Sequence, residues 1–247
     1  MKEGRLVKVC GDTLLMTGQL QNSITKKWHP YTMKILKQTE LTATLALYDH
    51  VVKNMENTDM LWRYPDETVA AFFGRDGIVM GVFVGDKLVA FRVLYFHHEG
   101  DPSNPLLCRE ECCGETAHLA LCVVHPEFRG NSLQKKMGVH LLQAAQADRT
   151  FPAMCSIVSP HNYPSISDKF SLNMVVVKLM PKFKGLWRYI FYRNMDAAFS
   201  LDTENRLFVA SGDYGQQVKL LEQGYVGVQL GREEGISGMF FAPIKPE

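Results

Sequence analysis

The stretch LALCVVHPEFRGNSLQKKMGVHLLQAAQ, beginning at Leu119, joins a short β-rich run to a helical pattern through the turn His125–Gly130. A helix starting near Ser132 leaves its first backbone N–H groups without intrahelical acceptors, and its macrodipole adds partial positive charge there. Such a place suits an anion, phosphate above all. Arg129 adds a fixed charge. Gly130, Asn131 and Ser132 are small enough to let a pyrophosphate approach the backbone. Neither G-x-x-x-x-G-K-[ST] nor G-x-G-x-x-G occurs, which excludes the triphosphate and dinucleotide loops. The plainer alternative is a solvated Arg129 on an ordinary strand–turn–helix.

Two further groups of residues bear on chemistry. In SIVSPHNYPSISDKFSLNM a β-rich run leads to Asn162, with the small Ser165 three residues on. Alone, Asn162 reads as a turn residue. Cys108, Cys112, Cys113 and Cys122 lie near His97, His98 and His118 in the sequence. Zinc favours four N/S ligands, commonly from C-x-x-C pairs, and the spacing here is C-x-x-x-C-C with no second pair. A loop with incidental thiols is the preferred reading, and no metal is expected.

Taken together, these stretches resemble the GNAT superfamily of N-acetyltransferases, whose cofactor segment reads V-x-P-x-x-R-G-x-G-x-G/A. Val124, Pro126, Arg129 and Gly130 match it. Ser132 stands at the first loop glycine and Gln134 at the second, where the Gln134 side chain has to turn away from the pyrophosphate. The superfamily's downstream pattern, N-x-x-A…L-Y…G-F, is met by Asn162 and Ser165, while Lys169 stands at the tyrosine and Asn173 at the glycine. Lys182–Ile190 resembles a K-x-x-G-x-x-R-Y-I-like stretch of some relatives.

The resemblance implies acetyl-CoA as co-substrate, held by Arg129, Gly130, Asn131, Ser132, Leu133, Gln134 and Lys135 at the pyrophosphate and by Asn162 and Ser165 at the pantetheine arm. A backbone N–H at Cys122, Val123 or Val124 would polarise the thioester carbonyl. The acetyl group would pass directly to a primary amine, of a small molecule or of a protein, with no enzyme nucleophile. Glu115 or His118 would take the amine proton. Their parities along the strand differ, so only one faces the substrate. With Lys169 at the tyrosine, Tyr163 is the candidate proton donor to the leaving thiolate. The alternative is a CoA-binding sensor or interaction module without catalysis.

The elements that must position these residues follow from periodicity. Leu41, Leu45, Tyr48, Val52 and Met55 predict an amphipathic helix over 40–57. Asp66–Phe73 predicts a short helix capped by Asp66 and ended by Gly74. Ile78–Val84 and Leu88–Phe96 predict a hairpin about Gly85-Asp86. Arg5–Cys10 reads as a weak strand, 18–30 as loop, and 97–116 as a long polar loop. That loop carries Glu99, Asp101, Glu110, Glu111 and Glu115, which could attract a cationic amine. Leu119–Val124 is a strand, and a helix over 132–148 has the stripe Leu133, Met137, Leu141 and Ala144/Ala145. Strands at 154–158, 174–178 and 187–192 surround a helix near 165–172. A final strand, helix and two strands lie at 207–210, 214–223, 225–230 and 236–241.

This alternation predicts an α/β fold with an α+β mixed sheet. With the resemblance it becomes a GNAT-like acyl-CoA N-acyltransferase fold over 1–195, with a C-terminal β-α-β-β extension over 196–247 packed on the same body. The 247 residues suffice for a sizeable core, and 46% hydrophobic and 21% charged residues are ordinary for a globular chain. A net charge of +1 gives no support to nucleic-acid binding. The most apolar run, 78–96, is broken by Gly85, Asp86, Lys87 and Arg92 and falls short as a membrane span, so no membrane partner is expected. Six cysteines behind an N-terminus without a secretory pattern point to reduced thiols in a cytoplasm. The oligomeric state is not readable.

Overall fold

Turn chemistry and alternation organise the first third of the chain more firmly than expected. The computed structural model describes residues 14–74, 77–97, 116–148 and 151–245. The strand expected at Arg5–Cys10 and most of the loop expected at 97–116 lie outside them. Where 18–30 was expected to be loop, a hairpin forms from β1 (Leu14–Gln21) and β2 (Trp28–Ile35). Asn22 organises its turn. The Asn22 Oδ1 accepts from the N–H groups of Ile24 and Thr25, both at 2.9 Å. This is the local side-chain-to-backbone bonding that Asn favours, and it replaces the Gly-bearing turn whose absence concealed the hairpin. Gly18 lies under the ring of Tyr31, where a Cβ would come within 2.7 Å of the aromatic carbon.

The chain forms two compact units. The first comprises, among the described residues, 14–58, 63–74, 77–97, 117–148 and 151. After the hairpin come α1 (Leu41–Lys53), α2 (Asp66–Ala71), β3 (Gly77–Val84), β4 (Lys87–His97), β5 (Thr116–Val124) and α3 (Leu133–Asp148). Its strand order is β1-β2-β3-β4-β5. The β3–β4 hairpin turns at Gly85, which has φ +56°, as the sequence predicts. Helices α1 and α3 pack on β4. The α3 stripe is as predicted, with Leu133, Met137, Leu141 and Ala145 all buried.

Two local expectations need correction. Of the expected stripe Leu41, Leu45, Tyr48, Val52 and Met55 only Tyr48 is buried, and the buried face of α1 is Thr44, Leu47, Tyr48 and Val51. Thr44 can be buried because its hydroxyl donates to the Glu40 carbonyl at 2.9 Å. Pro65, not Asp66, sits at the α2 cap. Asp66 instead accepts from Arg63 at 2.6 Å, and Arg63 also pairs with Asp49 of α1 at 2.8 Å.

The second unit comprises, among the described residues, 59–62, 116 and 152–245. Its elements are β6 (Ala153–Val158), α4 (Tyr163–Ser171), β7 (Val175–Lys182), β8 (Leu186–Asn194), β9 (Leu207–Ala210), α5 (Tyr214–Glu222), β10 (Tyr225–Glu233) and β11 (Ile236–Pro243). The strand order is β6-β8-β7-β10-β11-β9, with every neighbouring pair antiparallel. The division expected between residues 195 and 196 falls inside this unit. Helix α5 packs on β7 and β10, and α4 on β6 and β10. The mixed α/β class expected from the sequence is the one observed. Among the described residues, no helix is long and apolar enough to cross a membrane.

Asn22 also donates from Nδ2 to Glu127 Oε2 at 3.0 Å, and it is buried. Asn22→Ala leaves two backbone N–H groups and a carboxylate without this partner, at a cost of roughly 1–3 kcal/mol. Thermal unfolding should show a clearly lowered midpoint. An unchanged midpoint would mean that the turn holds without its side chain.

Candidate functional site

Strand β5 leads the first unit into the candidate site. Leu119, Leu121 and Val123 are buried, whereas Ala120, Cys122 and Val124 are half-buried. The even-numbered residues thus share the more open face, because side chains alternate along a strand. His118 has their parity and is buried. Glu115, the other predicted proton acceptor, lies outside the described residues. So do Cys108, Cys112 and Cys113, while Cys122 is a half-buried free thiol.

Past Val124 the chain makes a tight 3-10 turn over Pro126–Phe128, with His125 at its cap position. Proline suits the first position because it brings no N–H that the turn would leave unpaired. Phe128 is buried, its ring edge-on to His29 at 6.1 Å and to His125 at 6.0 Å. Then Gly130 takes φ +84° and Ser132 φ +56°. Left-handed residues flanking one other residue turn successive backbone N–H groups toward a common concavity, a geometry that binds anions. Helix α3 begins at once, its Lys136 N–H donating to the Ser132 carbonyl at 3.0 Å. The amides of Leu133, Gln134 and Lys135 precede that bond and have no acceptor within the helix. Arg129, Gly130, Ser132 and Lys135 are exposed. Leu133 is the first core residue of α3, so only its backbone is available to a ligand.

The predicted loop residues divide between two roles. Asn131 turns its side chain back into the protein. Its Oδ1 accepts from the Gln21 N–H at 2.9 Å, and its Nδ2 donates to the Gln21 carbonyl at 2.9 Å and the Phe128 carbonyl at 3.0 Å. The amide thus continues the hydrogen bonding of β1 as another strand would. The Ser23 N–H adds a bond to the Glu127 carbonyl at 2.6 Å. Gln134 is half-buried, and its carbonyl accepts from Arg92 Nη1 at 2.5 Å. Arg92 is buried within β4, and the carbonyl it holds belongs to the second residue of α3. Sequence reading treated it only as a break in an apolar run. A cation in the middle of LVAFRVLYF was the signal that it has a buried job.

His125 is the most electrostatically constrained group of the loop. Its ring stacks on His50 at 4.7 Å and 7°. Lys87 Nζ lies 3.2 Å from Nε2, and the Glu127 N–H approaches Nδ1 at 3.3 Å. The Nδ1 lone pair accepts from the Glu127 N–H, which opposes a ring proton there. Burial first, then the Lys87 charge, hold its pKa below the ordinary histidine value, against the opposing pull of Glu127.

In the second unit, Asn162 caps α4. Its Oδ1 accepts from the Ser165 N–H at 3.1 Å, and its Nδ2 donates to the Met60 carbonyl at 3.2 Å. Ser165 is therefore the helical residue whose amide is capped. Tyr163, at the first position of α4, is exposed. Lys169 is buried with its ammonium 3.0 Å from Asp168 Oδ2, also buried. Asn173 has φ +56°, the left-handed conformation that asparagine tolerates best after glycine. The Lys182–Ile190 stretch forms the β7–β8 hairpin, with Phe183, Lys184 and Gly185 all at positive φ. Its Arg188 donates to the Asp59 carbonyl at 2.9 Å, and Phe183 stacks on Trp62 at 5.0 Å.

No family model matches the sequence, and no curated protein matches it. Solved structures do match. The chain is similar to an N-acetyltransferase from Staphylococcus aureus at 11% identity and a TM-score of 0.53, covering 68% of this chain and 99% of that one. It is similar to Arabidopsis thaliana NAA60 in complex with acetyl-CoA at 12% identity and 0.53, covering 68% and 99%. An acetyltransferase of the GNAT family from Streptococcus pneumoniae matches at 12% identity and 0.50, covering 66% and 98%. The fold is that of the GNAT acetyltransferases.

An imidazole whose folded pKa is depressed takes up a proton more readily when unfolded. His125 therefore supports the fold fully above about pH 6.5 and less as the pH falls through that value toward the folded pKa. Denaturant unfolding at pH 7 and pH 5 should show a smaller loss of stability for His125→Gln than for the parent chain. Equal losses would remove His125 as the source.

Proposed function

We propose that the protein is an acetyl-CoA-dependent N-acetyltransferase acting on a primary amine. The observation that carries this reading is the pair of left-handed residues, Gly130 and Ser132, directly before the α3 N-terminus. Exposed amides, the helix dipole, Arg129 and Lys135 together favour a pyrophosphate there. The side chains of Asn131 and Gln134 are not required for that. Asn131 shapes the loop. In the second unit, Asn162 and Ser165 are assigned to the pantetheine arm. The Asn162 carbonyl oxygen keeps a second lone pair beyond the cap bond.

In the proposed reaction the amine nitrogen attacks the thioester carbonyl. The C–N bond forms, the C–S bond breaks, and the thiolate leaves. A backbone N–H of Cys122, Val123 or Val124 would stabilise the oxyanion. His118 is preferred over Glu115 as acceptor of the amine proton, because it shares the open-face parity of Cys122 and Val124. Tyr163 is retained as the donor to the thiolate. A thiol with a pKa of about 8.5 is already a fair leaving group near neutrality, so this donor contributes less than it would for an alkoxide. The acceptor is a small-molecule or protein amine, and a cytoplasmic setting suits the cofactor.

The buried Lys169–Asp168 pair, at the place of the expected tyrosine, favours a second reading, a CoA-binding module without turnover. A thiol-release assay with acetyl-CoA and a panel of amines separates the two. Amine-dependent release supports the enzyme. Tight binding with no release on any amine supports the module. Ser132→Glu or Arg129→Ala should weaken CoA binding by about tenfold or more, since each acts directly on the anion site. Unchanged affinity in a titration would refute the pyrophosphate assignment under either reading.

A further inference from the structure

The end of β8 carries a cation that the acetyl-transfer reading does not use. Arg193 lines a cavity of about 510 Å³ in the second unit, within the size range of small-molecule sites. Its guanidinium is half-buried, and Nη1 donates to the Leu172 carbonyl at 2.5 Å. Among the described residues no carboxylate pairs with it. Burial alone pushes its pKa below the ordinary arginine value, with no neighbouring charge opposing. One of five N–H donors is engaged, and the planar fork is matched in shape to a carboxylate.

The remaining walls define the rest of a ligand. Met174, Phe199, Leu201 and Val228 present apolar surface to the cavity. Asn194, also on the wall, is closed on itself, with its Oδ1 accepting from the N–H groups of Asp196 and Ala197 at 2.9 and 3.1 Å. The exposed Asp196 carboxylate borders the same space. A second negative charge on a ligand would meet it, which disfavours phosphate and dicarboxylates. A half-desolvated cation without a counter-charge gains most from one bidentate anion, and apolar walls gain from burying a hydrocarbon body.

We propose that this cavity binds a small apolar monocarboxylic acid, with its carboxylate on the Arg193 fork and its branched-chain or arylalkyl body against Met174, Phe199 and Val228. The site is independent of the acetyl-transfer reading, and its test uses no activity.

Calorimetric titration of the full chain with phenylpropanoate, phenylpropanamide and inorganic phosphate tests the chemistry. The acid should bind at least about tenfold more tightly than the amide, the order expected for one charge-assisted bidentate pair, and phosphate should neither bind nor displace it. Arg193→Gln should erase the preference for acid over amide, and Arg193→Lys should keep part of it. Because Arg193 also holds the Leu172 carbonyl, Val228→Phe supplies an arm that leaves Arg193 in place. Filling the cavity should weaken the acid by about tenfold or more, on the scale of a lost buried side-chain contact. Equal affinity for acid and amide, no saturable acid binding, displacement by phosphate, or an unaltered Val228→Phe variant would each overturn the proposal.

Discussion

A backbone that turns its N–H groups outward at Gly130 and Ser132 cannot hold that shape unaided. For Ser132 the left-handed region costs of the order of 1–2 kcal/mol, and strained residues persist only where their surroundings over-determine them. The over-determination comes from behind. Asn131, between the two left-handed residues, bonds both backbone groups of Gln21 and the Phe128 carbonyl. Asn22 and Ser23 hold the Glu127 side chain and carbonyl. The hairpin β1–β2 is therefore part of the loop's scaffold. Tyr31 closes the arrangement from the hairpin side, with its ring over Gly18 and under the Lys136 ammonium of α3 at 5.5 Å.

The charges around this loop are arranged to stay distinct. Arg129 and Lys135 are exposed. Arg92 is buried and holds the Gln134 carbonyl, which fixes the first turn of α3 against the sheet. His125 lies close to Lys87 and His50, and a proton on it would add repulsion within a buried turn. Burial and the Lys87 charge favour its neutral form, and it works as a packed and hydrogen-bonded cap. The positive field of the site thus comes from amides, the helix dipole and permanently charged side chains, not from a group that titrates near neutrality.

The parts legible in the sequence were those with strong periodicity or punctuation. The 77–96 hairpin showed two β-rich runs about a Gly-Asp turn, α3 showed an unbroken four-residue stripe, and α5 was closed by Gly224. The β1–β2 hairpin was missed because Asn22 makes its turn through a side chain and Gln21 and Trp28 flank it with no Gly or Pro signal. The α1 stripe was misjudged by part of a turn because Thr44 reads as polar, yet its hydroxyl is satisfied within the helix. The loop was legible as a strand–turn–helix with exposed Arg129, Gly130 and Ser132. That the Asn131 side chain turns inward was not, since nothing in the local sequence separates it from its exposed neighbours. Only the tertiary partner Gln21 decides that Asn131 turns inward. Arg193 was silent for the same reason, because its partner is a carbonyl far along the chain.

The departures from the glycine pattern are explained by conformation more than by residue type. Ser132 and Asn173 stand at positions where the resemblance carries glycine, and both have φ +56°. Glycine is used at such places because it enters the left-handed region freely, but asparagine and, at higher cost, serine reach it too when their neighbours are fixed. At Asn173 the chain ends α4, with Met174 N–H bonding back to the Lys169 carbonyl at 3.1 Å and Asn173 N–H to that of Phe170 at 2.9 Å. These are bonds of a helix C-terminus that a left-handed residue makes possible. Gln134 differs, because it lies inside α3, where no left-handed conformation is needed and a glycine would serve only for close approach. Its side chain is tolerable provided it leaves the amide uncovered, and its carbonyl is already fixed by Arg92. The left-handed backbone conformation is therefore kept at Ser132 and Asn173, while the side-chain chemistry expected at Lys169 is not.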